Sequence, residues 1–440
     1  MLLRFSVENW MSFRDEATLD LVATREEQHP EHIARIEKYD LKLLPIAAIY
    51  GANASGKSNL MKALRFAQDF ITDPPKAGAR IAVKPFLLDK HCPELPTSFR
   101  FEILIRESIY EYSFSATADG VAREELKRIN GTREKTLFRR LEGKLDPPGQ
   151  SPEGSALRFA SEGTQGNQLL LTNPVSHRRD EIKSVFEWFD RNLTVILPEE
   201  PLRHMQWLTD EDHHIYKWLT TRLRDLGTGI ASLSKIEIPP KDVAKREELD
   251  KWSATWREGH EEFPRSGGNE KIVVRKERGR IVAWQLVTVH KSEGGEDILF
   301  NLADESDGTR RLIDLLSPFK ALEELHNSVI VIDELDRSLH TNLTRDLIEH
   351  YLARHGNPTT AQLIFTTHDT QLMTQEIFRR DEIWITERDQ SGASKLVAFS
   401  EFKDVRKDKD IRKSYLQGRL GGVPRIRTTN TLREDETAVR

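Results

Sequence analysis

A single cysteine, Cys92, in 440 residues excludes an intrachain disulfide and any zinc site built on cysteine pairs, and fits a reducing compartment. Long apolar runs are equally scarce. Nothing approaches the roughly 18 consecutive residues that cross a bilayer, so no membrane partner is expected. The opening Met1-Leu-Leu-Arg-Phe-Ser alternates like a short edge strand rather than a cleaved leader, and the chain is expected to be cytoplasmic. Neither sign of charge prevails: a net charge of −5 neither demands nor forbids nucleic acid, because a basic groove can sit on an acidic chain. No internal repeat is present, and no sustained heptad that would build a long coiled-coil arm. What remains is 38% hydrophobic and 31% charged, the balance of a soluble globular chain long enough for two or three lobes.

Among what is present, the clearest pattern is a strand, a glycine loop and a helix. Leu43 to Tyr50 is an apolar run that feeds Gly51-Ala-Asn-Ala-Ser-Gly-Lys-Ser58, and Leu60, Ala63, Leu64, Ala67 and Phe70 follow at helical spacing until Pro74-Pro75. That is the setting a phosphate loop requires. Gly51 and Gly56 let the backbone curl so that successive N–H groups point at phosphate oxygens, and the start of the helix adds the positive end of its dipole. The nucleotide-binding set is therefore Gly51, Asn53, Ala54, Ser55, Gly56, Lys57, Ser58 and Asn59. Within it Lys57 supplies charge to the β- and γ-phosphates of ATP, and Ser58 a hydroxyl ligand to Mg²⁺.

Further along, three strand-like runs between Thr97 and Ile129 predict an antiparallel meander, turning at Asp119-Gly120. Helical spacing dominates from His177 to about Lys251, Lys271 to His290 reads as a hairpin around Glu277-Arg-Gly-Arg280, and Asp297 to Asn301 as another strand. Helices over 309–325, 341–354 and 370–379 then alternate with strands over 329–332, 363–366 and 382–386, the signature of a parallel α/β core. The expected organisation is an N-terminal lobe over 1–175 with the phosphate loop and meander, a helical insertion over 176–265, a C-terminal lobe over 266–402, and a basic segment and tail over 403–440. From Lys403 to Arg427 the chain carries nine basic against three acidic side chains. His213-His214 and the eight tryptophans read as surface and core respectively, without metal-ligand spacing.

Three more motifs follow in fixed order. Val329 to Glu334 is a buried-strand pattern ending in two carboxylates, which places Asp333 in the Mg²⁺ shell and Glu334 where it polarises the attacking water. Glu305-Ser-Asp-Gly-Thr309 precedes an amphipathic helix; alone it reads as an ordinary helix cap, but beside a first phosphate cradle Ser306 and Gly308 read as a second anion site for the γ-phosphate held by a partner copy. His368, after the strand that ends in Thr366-Thr367, can reach the γ-phosphate, and with Glu334 forms the candidate catalytic pair. Asp336 and His340 lie between these motifs, and the resemblance given next implies that they sit where two such heads meet. The glutamine that joins Mg²⁺ to the attacking water is assigned to Gln168 in preference to Gln165.

These four motifs together resemble an ABC-type ATPase, implying an α/β P-loop head with an antiparallel β subdomain and a helical insertion lobe, and ATP clamped between two heads. Asn9-x-x-Ser12-Phe13 after the first strand resembles the entry of SMC and RecF heads. Asp333-Glu-Leu-Asp-Arg-Ser-Leu-His340, Thr366-Thr-His368, Asp225-Leu-Gly-Thr-Gly-Ile230 and Tyr415 to Pro424 are similar to the stand-alone bacterial ATPases of the RloA/AbiL phage-defence group. That resemblance, spanning residue 1 to about 425, implies an ATP-dependent homo-oligomer that senses infection and controls a separately encoded effector, a nuclease of Toprim or RloB type. Within the ABC-type resemblance, Glu305-Ser-Asp-Gly-Thr309 departs at Asp307, where transporter heads and SMC proteins usually have glycine.

The alternative is a RecF/SMC-like repair ATPase acting on DNA through Lys403 to Arg427 and the hairpin Arg275 to Arg280, with salt-sensitive binding. A solvated charged face would explain the same residues. The motor subunit of a membrane transporter is disfavoured by the Asn9 entry motif and the insertion.

Overall fold

The computed structural model describes residues 1–131, 133–146, 152–198, 214–262, 270–354, 360–402 and 411–417. The chain forms two compact units. One takes Leu2–His29, Ala47–Phe186 and Thr366–Arg440; the other takes Met1, Pro30–Ile46 and Glu187–Phe365. Of the basic segment and tail expected over 403–440, all but 411–417 lies outside the described residues. Among the described residues no helix is long and apolar enough to cross a membrane.

The first unit is built on a seven-stranded antiparallel sheet, in the order Lys144–Leu145, Arg133–Leu141, Val121–Asn130, Ser108–Ala116, Thr97–Ile105, Leu2–Glu8, Ala17–Asp20. The period-two pattern of Thr97–Ile105 decides its faces: Phe99, Phe101 and Ile103 are buried on one, while Ser98, Arg100 and Glu102 lie on the other. The predicted three-strand meander is present and continues into Arg133–Leu141 and Lys144–Leu145. Onto the buried face packs the helix Lys57–Thr72, with Leu60, Ala63, Leu64, Ala67 and Phe70 inward. Trp10, Phe66, Phe99, Phe70 and Phe114 form one aromatic cluster with centroids 4.9–5.7 Å apart, which aims this helix from the sheet. Each buried ring contributes on the order of 2–3 kcal/mol. The strand Ile46–Gly51 ends at the glycine loop and pairs in parallel with Ile383–Arg388, which in turn pairs antiparallel with Ser394–Ala398.

A buried carboxylate braces this unit. Glu124 accepts from Tyr112 Oη at 2.9 Å and from the backbone N–H groups of Leu170 and Leu171 at 2.6 and 2.9 Å. Arg140 donates to the carbonyls of Gln168 and Thr164 at 2.8 and 3.1 Å. Burial raises the Glu124 carboxyl above its ordinary value, opposed by those donors and by Arg140.

The second unit contains three parallel strands, with Val329–Ile332 between Leu193–Ile196 and Gln362–Thr366. The helices Asp307–Glu324 and Thr341–Arg354 connect along the chain as the apolar spacing predicts. A separate antiparallel sheet runs Ile230–Ile238, Arg280–Lys291, Ile272–Glu277, Glu261–Glu262, and Asp297–Asn301 pairs with the far half of Arg280–Lys291. Its predicted hairpin turns at Arg278-Gly279, both at positive φ (49° and 75°), as a two-residue turn matching strand twist requires.

Two expectations meet a different structure. The segment 176–265 holds the helices Asp180–Glu187, His214–Asp225 and Arg246–Thr255, but also the nine-residue strand Ile230–Ile238. A bulge between Ile230 and Ser232 puts buried Ile230 and Leu233 three residues apart, so the strand carries helix-like spacing in the sequence. The expected helix over 370–379 is a single 3-10 turn, Thr370–Leu372, capped by the Asp369 side chain. Beyond it buried Arg379 is pinned by Asp381 (2.9 Å) and by the carbonyls of Gln28 and Glu26 (2.5 and 3.0 Å), which draws the chain out of helical geometry.

Candidate functional site

In the first unit the fully buried strand Ile46–Gly51 delivers the loop, and both of its glycines are demanded by what surrounds them. A Cβ on Gly51 would lie 2.3 Å from Thr386 Oγ1 and 2.5 Å from Ser55 Oγ. A Cβ on Gly56, at φ +115°, would lie 2.5 Å from Ser394 Oγ and 3.0 Å from Ser12 Oγ. Ala54 between them is left-handed at φ 62°. Thus the loop is a backbone curl clamped from behind. Ser55 and Thr386 share a hydroxyl hydrogen bond of 2.6 Å, Ser394 Oγ donates to Ser55 O at 2.7 Å, and the Ser394 N–H donates to Ser12 O at 2.7 Å.

The Asn9-x-x-Ser12-Phe13 motif belongs to that clamp. Asn9, buried at φ 53°, donates to the carbonyls of Cys92 and Leu95 and accepts from the Phe86 N–H. Trp10 Nε1 donates to Asn59 O at 2.9 Å, and Asn59 Nδ2 donates to Ser12 Oγ at 2.8 Å. Asn59 and Ser55, expected at the nucleotide, therefore direct their side chains into the supporting clamp. Asn53 is exposed at the loop's crest and Ser58 half-buried in the first helical turn.

Lys57 is buried, and its Nζ donates to the carbonyls of Gly51 at 2.6 Å and Ala52 at 3.2 Å. It also reaches His368 Nδ1 at 3.5 Å. His368 is brought there because the Thr367 N–H donates to Ile49 O at 3.1 Å, in register with the strand that feeds the loop. Two residues 311 positions apart, chosen separately from the sequence, thus meet at the loop's mouth.

Gln168 is not brought to that mouth. Its side-chain amide donates to Pro75 O at 2.9 Å, beyond the far end of Lys57–Thr72. A 16-residue helix is about 24 Å long, so the assignment of Gln168 as the lining glutamine is corrected: it is a brace on the helix C-terminus.

In the second unit the buried strand Val329–Ile332 ends in Asp333, which is 1% exposed and whose N–H donates to Ile196 O at 2.9 Å. Glu334 follows at φ 53° and Ser338 at φ 62°, two non-glycine residues in the left-handed region within one turn. Such backbone costs about 1–3 kcal/mol each and collects at functional sites. Ser306 is the N-cap of Asp307–Glu324, accepting from the Thr309 N–H at 3.1 Å, so the ordinary capping role is real and the side chain remains exposed. Asp307 pairs with Arg310, whose guanidinium also binds the carbonyls of Ala303 and Glu305. Glu305 is held by Thr288 at 2.5 Å and His290 at 2.7 Å. Gly308 has no room for a side chain: its Cβ would sit 2.7 Å from Ser338 O. The turn around Ser306 and Gly308 and the 336–340 loop therefore approach backbone to backbone. His340, exposed in that loop, accepts from the Asn342 N–H through Nδ1 at 3.2 Å and caps the next helix.

Arg311 escaped the sequence reading. Its Nη2 donates to Asp333 O at 3.3 Å and Glu334 O at 3.2 Å. Burial lowers its pKa, with Arg337 adding to that and Glu334, Asp333 and Asp336 opposing it. Ser12 carries a signal only within the Asn9-x-x-Ser12-Phe13 motif, and Thr386 and Ser394 carry none; no spacing links small polar residues some 330 positions from the loop they support.

Taken singly, the first unit offers a lysine folded into a loop whose Gly51 and Gly56 leave no room for a Cβ, which suits the phosphates of a nucleotide triphosphate, and the second unit a buried aspartate at a strand end, which suits a divalent cation. A family model described as "AAA domain, putative AbiEii toxin, Type IV TA system" matches residues 46–374, more than half of the chain. No curated protein matches. Among solved structures, an Smc head bound to the C-winged helix domain of ScpA is 14% identical, with 90% of this chain and 97% of that chain covered and a TM-score of 0.38. The SMC head domain from Thermotoga maritima is 12% identical (90% and 98% covered, TM-score 0.34). An Smc head domain with an extended coiled coil, bound to the C-terminal domain of ScpA derived from Pyrococcus furiosus, is 13% identical (90% and 96% covered, TM-score 0.41).

Proposed function

This chain belongs to that AAA-domain family, and from that premise we propose that it is a cytoplasmic ABC-type ATPase that hydrolyses ATP, pairs its heads in an ATP-dependent way and serves a bacterial anti-phage defence system. The observation that carries the ATP reading is the meeting of Lys57 with Gly51 O, Ala52 O and His368 within a loop that has no space for side chains at Gly51 and Gly56.

In this reading Lys57 balances the β- and γ-phosphate charge, and the loop N–H groups from Asn53 to Ser58 orient the phosphate oxygens. Ser58 and Asp333 would hold Mg²⁺, which supplies charge neutralisation at the β- and γ-oxygens. Glu334 takes the proton side of the attacking water, and His368 contacts the γ-phosphate from the side of Lys57. Ser306 and Gly308 offer their helix start to the nucleotide of a second copy. Because a bridging nucleotide binds the closed pair and not the separated heads, binding shifts the population toward closure and hydrolysis releases it.

The defence role draws on the RloA/AbiL-like motifs and on a family description that speaks of a toxin system. A separately encoded Toprim- or RloB-type nuclease is the expected partner. The deciding experiment uses the Glu334→Gln protein. With Mg·ATP it should elute as a stable dimer or higher oligomer with ATP retained, and, tagged in its host, carry a nuclease-like protein in stoichiometric amount. Hydrolysis at the parental rate would refute the role of Glu334. DNA recovered in place of a protein partner, and lost on raising salt, would turn the reading toward repair.

A further inference from the structure

We infer that Arg311 is a positioning residue that couples the first turns of the helix Asp307–Glu324 to the backbone turn carrying Asp333 and Glu334; the inference rests on the ATPase reading above. The helix Asp307–Glu324 touches that turn twice. At Gly308 the contact is one of shape, since a Cβ there would lie 2.7 Å from Ser338 O. One turn further, Arg311 makes the contact chemical, its Nη2 shared between Asp333 O and Glu334 O.

Both bonds go to main-chain oxygens flanking the residue at φ 53°. A left-handed glutamate persists only where its surroundings over-determine it. Within the turn, the Arg337 N–H donates to Glu334 O at 3.1 Å and the Leu339 N–H to Asp336 O at 3.1 Å. Arg311 adds a cross-tie from a different element, and it leaves the carboxylate oxygens of Glu334 to other partners. Both bonds come from one nitrogen of a rigid, planar guanidinium, whose two hydrogens serve two adjacent carbonyls, whereas a lysine ammonium would reach them only on a more flexible stem. Any displacement of Ser306 and Gly308 along the helix axis therefore displaces the peptide that aims Glu334. The same anchor explains why a basic residue is tolerated beside Arg337: the carboxylates of Glu334, Asp333 and Asp336 offset the repulsion.

The test compares full-length Arg311→Gln and Arg311→Lys proteins with the parent by amide hydrogen exchange, fluorescent-ATP binding and ATP hydrolysis. In Arg311→Gln, exchange across 334–339 should rise about tenfold or more while 312–324 keeps the parental rate. The kcat should fall at least about tenfold with KM changed less than about threefold, and Arg311→Lys should recover part of the loss. Unchanged exchange across 334–339 overturns the inference, as does a loss shared equally by kcat and KM with no recovery in Arg311→Lys. A parent that hydrolyses no ATP would sink the ATPase reading instead, and the exchange result alone would then decide the role of Arg311.

Discussion

Replacing Gly56 by alanine tests whether the phosphate loop is shaped from behind by serines far away in sequence. The new Cβ would stand 2.5 Å from Ser394 Oγ and 2.9 Å from Ser394 Cβ, on a backbone at φ +115°. Holding alanine in that conformation costs roughly 1–3 kcal/mol. Overpacking adds about 1–3 kcal/mol, and turning Ser394 away removes its bond to Ser55 O, worth about 1 kcal/mol. A total of about 3–7 kcal/mol is large beside a domain stability of about 5–15 kcal/mol, so the loop should distort to relieve part of it while the protein still folds. Thermal unfolding should drop by roughly 5–15 °C, and binding of a fluorescent ATP analogue should weaken at least about tenfold. The discriminating variant is Gly56→Ala with Ser394→Gly. It removes the clash but leaves the φ penalty, so it should regain part of the binding lost by Gly56→Ala alone. Additivity of the two single substitutions, with no recovery, would refute the clamp.

Two other outcomes follow from the same geometry. Lys57→Ala should abolish nucleotide binding in a titration calorimeter while leaving secondary structure unchanged, since Lys57 Nζ is bonded at the loop, to the carbonyls of Gly51 and Ala52 and to His368. Glu124→Gln should alter the pH dependence of stability. A carboxyl whose folded pKa is raised takes up protons on folding, so its contribution is fully present below the ordinary value of 4.5 and is lost as pH rises from there through the raised value. Denaturant midpoints across that window should fall less steeply with pH in the variant; an unchanged slope would show that Glu124 does not titrate there.

Much of the architecture was legible because its elements carry their own periodicity. Thr97–Ile105 alternates without interruption, Arg278-Gly279 is a turn dipeptide, and Val329–Ile332 is an unbroken apolar run. Reading failed where local pattern and tertiary context diverge. The bulge near Ile230 disguised a strand, and the bonds of Arg379 to Asp381 and to the Gln28 carbonyl overrode helical spacing after Thr370. Gln168 sat in a plausible run, yet its partner is Pro75, a contact that no spacing encodes.

The sequence by itself determined the candidate groups, namely a glycine loop between strand and helix, a strand ending in Asp333 and Glu334, a helix start at Ser306, and His368, because each motif is short and local. Only the tertiary structure decided what holds those groups in place. Ser12, Thr386 and Ser394 behind the loop, Ser338 against Gly308, and Arg311 on the carbonyls of Asp333 and Glu334 all act through close approach between distant segments. Close approach depends on how strands and helices pack, and neither composition nor local periodicity carries that information.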